Sequence, residues 1–293
     1  MAKRKLPIDI EPETETPEAA SETGEAGAGP AESAPSFDAG EMPPYHPVVA
    51  AILAAGIFLT RLPLPFNAPL TSEIFGRALG WFPLIGTALG LGAGIVFGVL
   101  GGFGVPPLVD AALVVALLVI VTGGLHEDGL ADTADGIGGG RTREAKLEIM
   151  RDSRVGSYGV LALVLSVIVR VAAIAALPST WTAIKVLVVA GAMSRAAMVA
   201  HSHWQQPARS DGLSATLGGP AQGATVLALA LALGVGLVLI GSKVFMVMAV
   251  VAFATWSMIK LADHQVGGQT GDLLGATQQV TEILVLILLA GAR

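Results

Sequence analysis

Apolar residues run in long blocks along most of the chain, at about 48–60, 79–103, 106–125, 157–177, 183–200, 223–241, 244–261 and 280–291. A helix that crosses a bilayer needs roughly 20 apolar residues in a row. Six of the blocks approach that length, and the first and last do not. The first, HPVVAAILAAGIFLTRLPLPF, breaks at Arg61 and then meets Pro63 and Pro65, which predicts an interfacial or re-entrant helix. The run 280–291 predicts a half-span. The expected fold is therefore all-α, a polytopic helical integral membrane protein with about six spans plus short interfacial or half-span helices.

The polar segments between the blocks carry a second pattern. With the N-terminal segment placed inside, the loops 126–156, 201–222 and 262–279 all fall inside. Only short turns near 104–105, 178–182 and 242–243 fall on the opposite face. Arg141, Arg143, Lys146, Arg151 and Arg154 share one of the inside loops, in keeping with the excess of basic residues in cytoplasmic loops. One face thus receives every long polar loop, and it is the expected active-site face.

Composition sharpens this picture at one end of the chain. Charged residues are 14% of the sequence, against about 25% in soluble domains. The formal charge of −6 comes from residues 1–46, where Lys3, Arg4 and Lys5 face acids running from Asp9 to Glu41. Rich in Pro, Glu, Ala, Ser and Gly, that stretch has too little apolar surface to offset its ordering entropy and is expected to be disordered. No apolar run follows its basic residues, so it does not read as a signal peptide. Residues 47–293 form the expected membrane domain. The chain has no cysteine, which excludes disulfides, thiolate catalysis and cysteine-ligated metals.

Much of the chemistry outside the tail lies in TGGLHEDGLADTADGIGGGRTREAKLEIMRDSRVGSYG, residues 122–159. Asp128, Asp132 and Asp135 stand at i, i+4 and i+7, within roughly 60° on one helical face. Like charges so aligned repel, and a hard divalent ion such as Mg²⁺ relieves them by binding a few carboxylates together with substrate phosphates. Glycines at 129, 136 and 138–140 leave room for phosphate oxygens near the backbone. Arg141, Lys146, Arg151 and Arg154, with Asp152 among them, follow directly and suit phosphate recognition. The same residues would also make a salt-bridged, solvated surface helix. His126 lies on the opposite side of the helix, as a general base or as a polar residue at the helix entry; Glu127 reads as peripheral. His126, Asp128 and Asp132 are the catalytic candidates.

Other polar residues join this set. Arg170 is embedded in LALVLSVIVRVAAIAALP and requires a partner if it lies within a span, unless it snorkels to the outer surface. Arg195, nearer the inside loop, calls for a phosphate or carboxylate. Arg209 and Asp211 flank a turn in QQPARSDGLSATLGG. In DHQVGGQTGDLLGATQQVTE, Gln269 and Thr270 belong to a glycine-rich turn whose N–H groups would cradle a phosphate. Asp272 adds a fourth carboxylate to the metal candidates Asp128, Asp132 and Asp135. That turn lacks the lysine of a P-loop.

These motifs resemble the cobalamin synthase family, adenosylcobinamide-GDP ribazoletransferase. The likeness rests on GGLHEDGLADTADGIGGGRTREAKLEIMRDSRVGSYGVLAL, with FLTRLPLP, WFPLIG, PARSDGL and GGQTGDLLGATQQVTE in support, and runs from about residue 45 to the C-terminus. It implies a multi-pass enzyme of the bacterial inner membrane whose active-site loops face the cytoplasm. Such an enzyme would use Mg²⁺ to join adenosylcobinamide-GDP to α-ribazole or its 5′-phosphate, releasing GMP. Expected partners are these small molecules and the lipid bilayer, with no nucleic acid; a homo-oligomer or a complex with other corrinoid-pathway enzymes stays open. A CDP-alcohol phosphotransferase also uses spaced aspartates, but its Ala-Arg and wider acid spacing are missing here. An ion-coupled transporter would hold its acids within spans, whereas these acids cluster in loops.

Overall fold

The structure, a computed structural model, describes residues 45–67, 70–210 and 218–291. Nearly all of the acidic N-terminal segment, and Asp211, lie outside these residues. The described chain is helical, and its one β-contact is an isolated bridge between Pro207 and Gln269. The elements are α1 (Pro47–Leu59), α2 (Ser72–Ala78), a 3-10 turn (Leu79–Trp81), α3 (Phe82–Gly102), α4 (Pro107–Thr122), α5 (Leu125–Gly139) and α6 (Arg143–Ile149). After them come α7 (Ser157–Ala175), α8 (Thr180–Trp204), α9 (Ala224–Ile240), α10 (Lys243–Val266) and α11 (Gly271–Gly291).

Among the described residues, five apolar stretches are long enough to cross a membrane: Ser72–Gly102, Ser157–Ala175, Thr180–Trp204, Lys243–Val266 and Gly271–Gly291. The pair α4 and α5 passes the same test jointly but is bent by 90°. Helix α1, 13 residues long, is too short to cross, as its proline-rich exit suggested. Two expectations are corrected. The block 223–241, expected as a span, forms α9, which at 17 residues is shorter than the five candidate spans. The run 280–291 belongs to a continuous 21-residue helix and is not a half-span. Its first half looked polar because Thr277, Gln278, Gln279, Thr281 and Glu282 all point into protein, each at most 5% exposed.

Helix α8 is the axis of the bundle, with nearly all its residues from Val186 to Ser202 buried. Against it lies a seam of small residues on α3: Gly86, Gly90, Gly94 and Gly98, one per helical turn. A Cβ built on Gly94 would stand 2.7 Å from the Ile184 Cα, and one on Gly90 2.7 Å from the Val188 Cα. Small residues at this spacing let two backbones touch, and close packing drives association where lipid removes the usual hydrophobic gain.

The 90° bend has a local cause. Gly123 (φ 67°) and Gly124 (φ 68°) are both left-handed, a conformation glycine adopts without steric cost. Two in succession stop α4 and relaunch the chain as α5, which runs beside α7 and α11. Around this end of the bundle the loops after α5, α8 and α10 meet. Arg143 donates to the Ala208 carbonyl at 2.7 Å, and Lys146 donates to Gln265. The Gln269 and Ala208 N–H groups donate to the Gln206 and Gln269 carbonyls at 2.9 and 2.8 Å. The expected gathering of polar loops on one face is what the described residues form.

Candidate active site

Helix α5 packs tightly on the start of α11 because glycines face each other there. A Cβ on Gly129 would stand 2.8 Å from the Asp272 carbonyl oxygen, and one on Gly275 3.4 Å from the Gly129 Cα. This contact brings Asp128, one residue before Gly129, to the same cavity wall as Asp272. Asp128 is exposed and Asp132, one turn on, is half-buried. No base on α5 neutralises either of them.

Asp135, the third acid of the stripe, has different partners. Its two carboxylate oxygens accept the Gly156 N–H at 2.7 Å and the Gly159 N–H at 2.9 Å. The side chain therefore serves the free N–H groups at the start of α7, and glycine at 156 and 159 leaves it room. The helical stripe seen in the sequence is real, but its last carboxylate is engaged as an anchor.

A cavity of about 190 Å³ opens at this end, between α1, α2, α3, α5, α8 and α11. His126, Asp128, Asp272 and Arg209 are among the residues that line it. The Arg209 guanidinium attracts the Asp272 carboxylate, and its Nη1 has no hydrogen-bond partner. The Nε2 of His126, a residue 1% exposed, is also without a partner. An unpaired buried donor or acceptor costs about 1–3 kcal/mol, so these two atoms mark where a ligand group would be welcome. A larger cavity of about 470 Å³ lies between α8, α9 and α10. Its walls are apolar apart from Thr255 and Lys260 and hold no carboxylate, so it offers none of this chemistry.

Among the described residues, no three His, Asp or Glu side chains stand within reach of one ion. A closed, protein-only metal cage is thus not what the fold builds here. One or two carboxylates completed by substrate phosphates and water is the usual arrangement for Mg²⁺, and Asp128 and Asp272, which line the cavity, with Asp132 one turn along α5, offer that pattern.

The remaining candidates sit around the cavity rather than in it. Arg141, Lys146, Arg151 and Arg154 do not line it. Arg154 pairs with Asp152 at 2.5 Å on the exposed connection between α6 and α7, and this guanidinium holds the Asp152 carboxyl below its usual range. The Thr270 hydroxyl accepts the Leu273 N–H at 3.2 Å and donates to Asp272 at 3.2 Å, so it caps α11 and steadies that carboxylate. Gln269 is 2% exposed and its side-chain oxygen is unpartnered. Arg195 does not reach the cavity; it pairs with Glu282 at 2.6 Å.

That last pair is part of a buried cluster that the sequence showed only in part. Arg170 binds Glu127 at 2.7 Å and Glu282 at 3.1 Å. Gln279 donates to Glu127 at 3.1 Å, and Gln278 donates to Glu282. Arg170, which the sequence left between pairing and snorkelling, is paired and 2% exposed. Glu127, expected at the periphery, is 8% exposed and fixes the start of α5 to α7 and α11. Glu282 went unnoticed; its one signal was its place one turn beyond Gln278, where the polar half of α11 gives way to apolar residues.

The chain is similar over residues 51–290 to the family model described as Cobalamin-5-phosphate synthase. It is 42% identical to the adenosylcobinamide-GDP ribazoletransferase of Bradyrhizobium diazoefficiens, over 83% of this chain and 94% of that protein. With the proteins of the same name from Sinorhizobium medicae and Rhizobium meliloti it shares 45% and 44% identity. Both matches cover 80% of this chain and 93% of the relative. No solved structure matches the chain.

Proposed function

The chain belongs to the Cobalamin-5-phosphate synthase family, and on that premise we propose that it joins adenosylcobinamide-GDP to α-ribazole, or to its 5′-phosphate, with release of GMP. The observation that carries this reading is the meeting of Asp128, Asp272 and Arg209, from three separate stretches of chain, on one cavity. Carboxylates and an unpartnered guanidinium at a single opening suit a diphosphate ester that must be gripped and then split.

One or two of the carboxylates Asp128, Asp132 and Asp272, completed by substrate phosphate and water, would hold Mg²⁺, which when bound supplies charge neutralisation at the diphosphate. Arg209 binds a non-bridging phosphate oxygen through its free Nη1 and orients the phosphorus nearer the corrinoid arm. A ribose hydroxyl of the acceptor attacks that phosphorus. Its proton passes to His126 Nε2, the new O–P bond forms, and the bond from that phosphorus to the bridging oxygen breaks. GMP departs with the bridging oxygen and its electron pair. Thr270 keeps Asp272 in place, and Asp135 keeps α5 docked on α7. Rate acceleration comes from positioning and charge stabilisation, as in phosphoryl transfer generally. The polar end faces the cytoplasm, supported by the basic residues of the α5–α7 connection.

The test is direct. Protein purified into nanodiscs is supplied with adenosylcobinamide-GDP, α-ribazole and Mg²⁺, and GMP and a cobalamin product are measured by chromatography. Matching amounts of the two are expected. Hydrolysis of the GDP ester with no joined product would overturn the reading.

A further inference from the structure

The larger cavity, of about 470 Å³ between α8, α9 and α10, is a groove with a charge at one end. Its floor is made of small side chains, Ala196, Ala197 and Ala200 on α8 and Ala232 on α9, all buried. Trp204, the last residue of α8, and Trp256 and Lys260 on α10 line it at the end where the polar loops meet, and all three are exposed. Inward it reaches Met193 on α8 and Met248 on α10. Thr255 donates its hydroxyl to the Val251 carbonyl at 2.8 Å, so that hydrogen is engaged within α10. The Lys260 ammonium is the one charge the groove presents. Among the described residues, no carboxylate pairs with it.

We propose that this groove holds one acyl chain of a phospholipid whose anionic headgroup rests its phosphate on the Lys260 ammonium. Depth argues first. At 1.5 Å per residue, Trp204 to Met193 covers about 16 Å along α8, and Lys260 to Met248 about 18 Å along α10. The hydrocarbon core of a bilayer is about 30 Å thick, so the groove is about as deep as one leaflet. A single acyl chain matches that depth, whereas a helix crossing the whole bilayer would be gripped over only half its length. Chemistry argues second. Tryptophans gather where the headgroups sit, and a lysine on its long apolar stem carries its charge to the same level. Trp204, Trp256 and Lys260 therefore mark the headgroup layer at the polar end of the bundle. An unpaired ammonium at that level attracts anionic lipid, and the apolar groove below it receives the chain.

The experiment incubates detergent-purified protein with phosphatidylglycerol, or with phosphatidylcholine of the same chains, and counts bound lipid by native mass spectrometry. The wild-type protein should hold one phosphatidylglycerol per chain, about fivefold more tightly than phosphatidylcholine, whose quaternary ammonium offsets its phosphate. Lys260→Gln should bring phosphatidylglycerol down to the phosphatidylcholine level. Ala252→Phe, which adds a ring from an exposed position that lines the groove, should weaken both lipids about tenfold. Because both positions are exposed, the unfolding midpoint without lipid should stay as in the wild-type protein, and a folding defect in one variant leaves the other to decide. Equal retention of the two lipids by the wild-type protein would overturn the proposal. So would phosphatidylglycerol binding that survives Lys260→Gln or Ala252→Phe unchanged. A wild-type protein that retains no lipid but forms dimers lost on Ala252→Phe would give the groove to a second copy of the chain instead.

Discussion

Glu282 and Arg170 meet at 3.1 Å deep in the bundle, while the other oxygen of Glu282 is held by Arg195 at 2.6 Å. One carboxylate on α11 therefore ties α7 and α8 together, and Glu127 on α5 completes the set. Removing one member of a buried ion pair leaves a charge without compensation, which costs about 3–5 kcal/mol. Glu282→Gln should destabilise the protein by that amount, read as a large fall in the midpoint of thermal unfolding in nanodiscs. Changing Arg195 to Met alongside Glu282→Gln should recover part of the loss, because it removes the cation left without a carboxylate, while Arg170 keeps Glu127.

The acids of α5 should separate by readout. Asp135→Ala strands the Gly156 and Gly159 N–H groups and should lower stability by about 1–3 kcal/mol. Asp128→Asn and Asp132→Asn should leave the unfolding midpoint within a degree or two and reduce kcat by about 100-fold or more. Paired measurements of unfolding and turnover distinguish the two outcomes. Equal loss of stability in all three would contradict the division of labour drawn from their partners.

Arg209 should act through phosphate. Arg209→Ala is expected to lower kcat/KM for the corrinoid nucleotide about 100-fold. Arg209→Lys should recover only part of it, since lysine keeps the charge but not the planar fork. Chelation by EDTA should abolish turnover in the wild-type protein and Mg²⁺ should restore it.

The α3–α8 seam offers a matched pair of substitutions. Gly90 abuts the α8 backbone, whereas a Cβ on Gly92 would meet nothing within 4 Å. Gly90→Ala should reduce the yield of folded, active protein severalfold, and Gly92→Ala should be tolerated. Size-exclusion profiles and specific activity of the two variants test this.

Orientation has its own check. The chain contains no cysteine, so Thr142→Cys creates a single thiol at the start of α6. Membrane-impermeant reagents should label it in inside-out vesicles and not in intact cells.

The sequence disclosed the helices that face lipid and the acids on a regular stripe, because both patterns are local. It disclosed less where side chains are satisfied across the bundle. Hydropathy along α11 read its first half as loop, since a residue facing the protein interior and one facing water look alike in composition. The Asp135 stripe position was legible, but its partners lie in the backbone of another helix, which no spacing rule reveals. Arg195 was correctly expected to find an anion, and only the packing of α8 on α11 selects Glu282 over a phosphate. The packing of Phe58, Phe75 and Phe82 on one another was invisible because they are ordinary apolar residues in three separate elements.

The cluster of Glu127, Arg170, Arg195 and Glu282 carries two positive and two negative charges. A unit charge carried across the bilayer couples to the membrane potential by about 2.3 kcal/mol per 100 mV. A neutral quartet moving as one body transfers none, so voltage has no grip on this core.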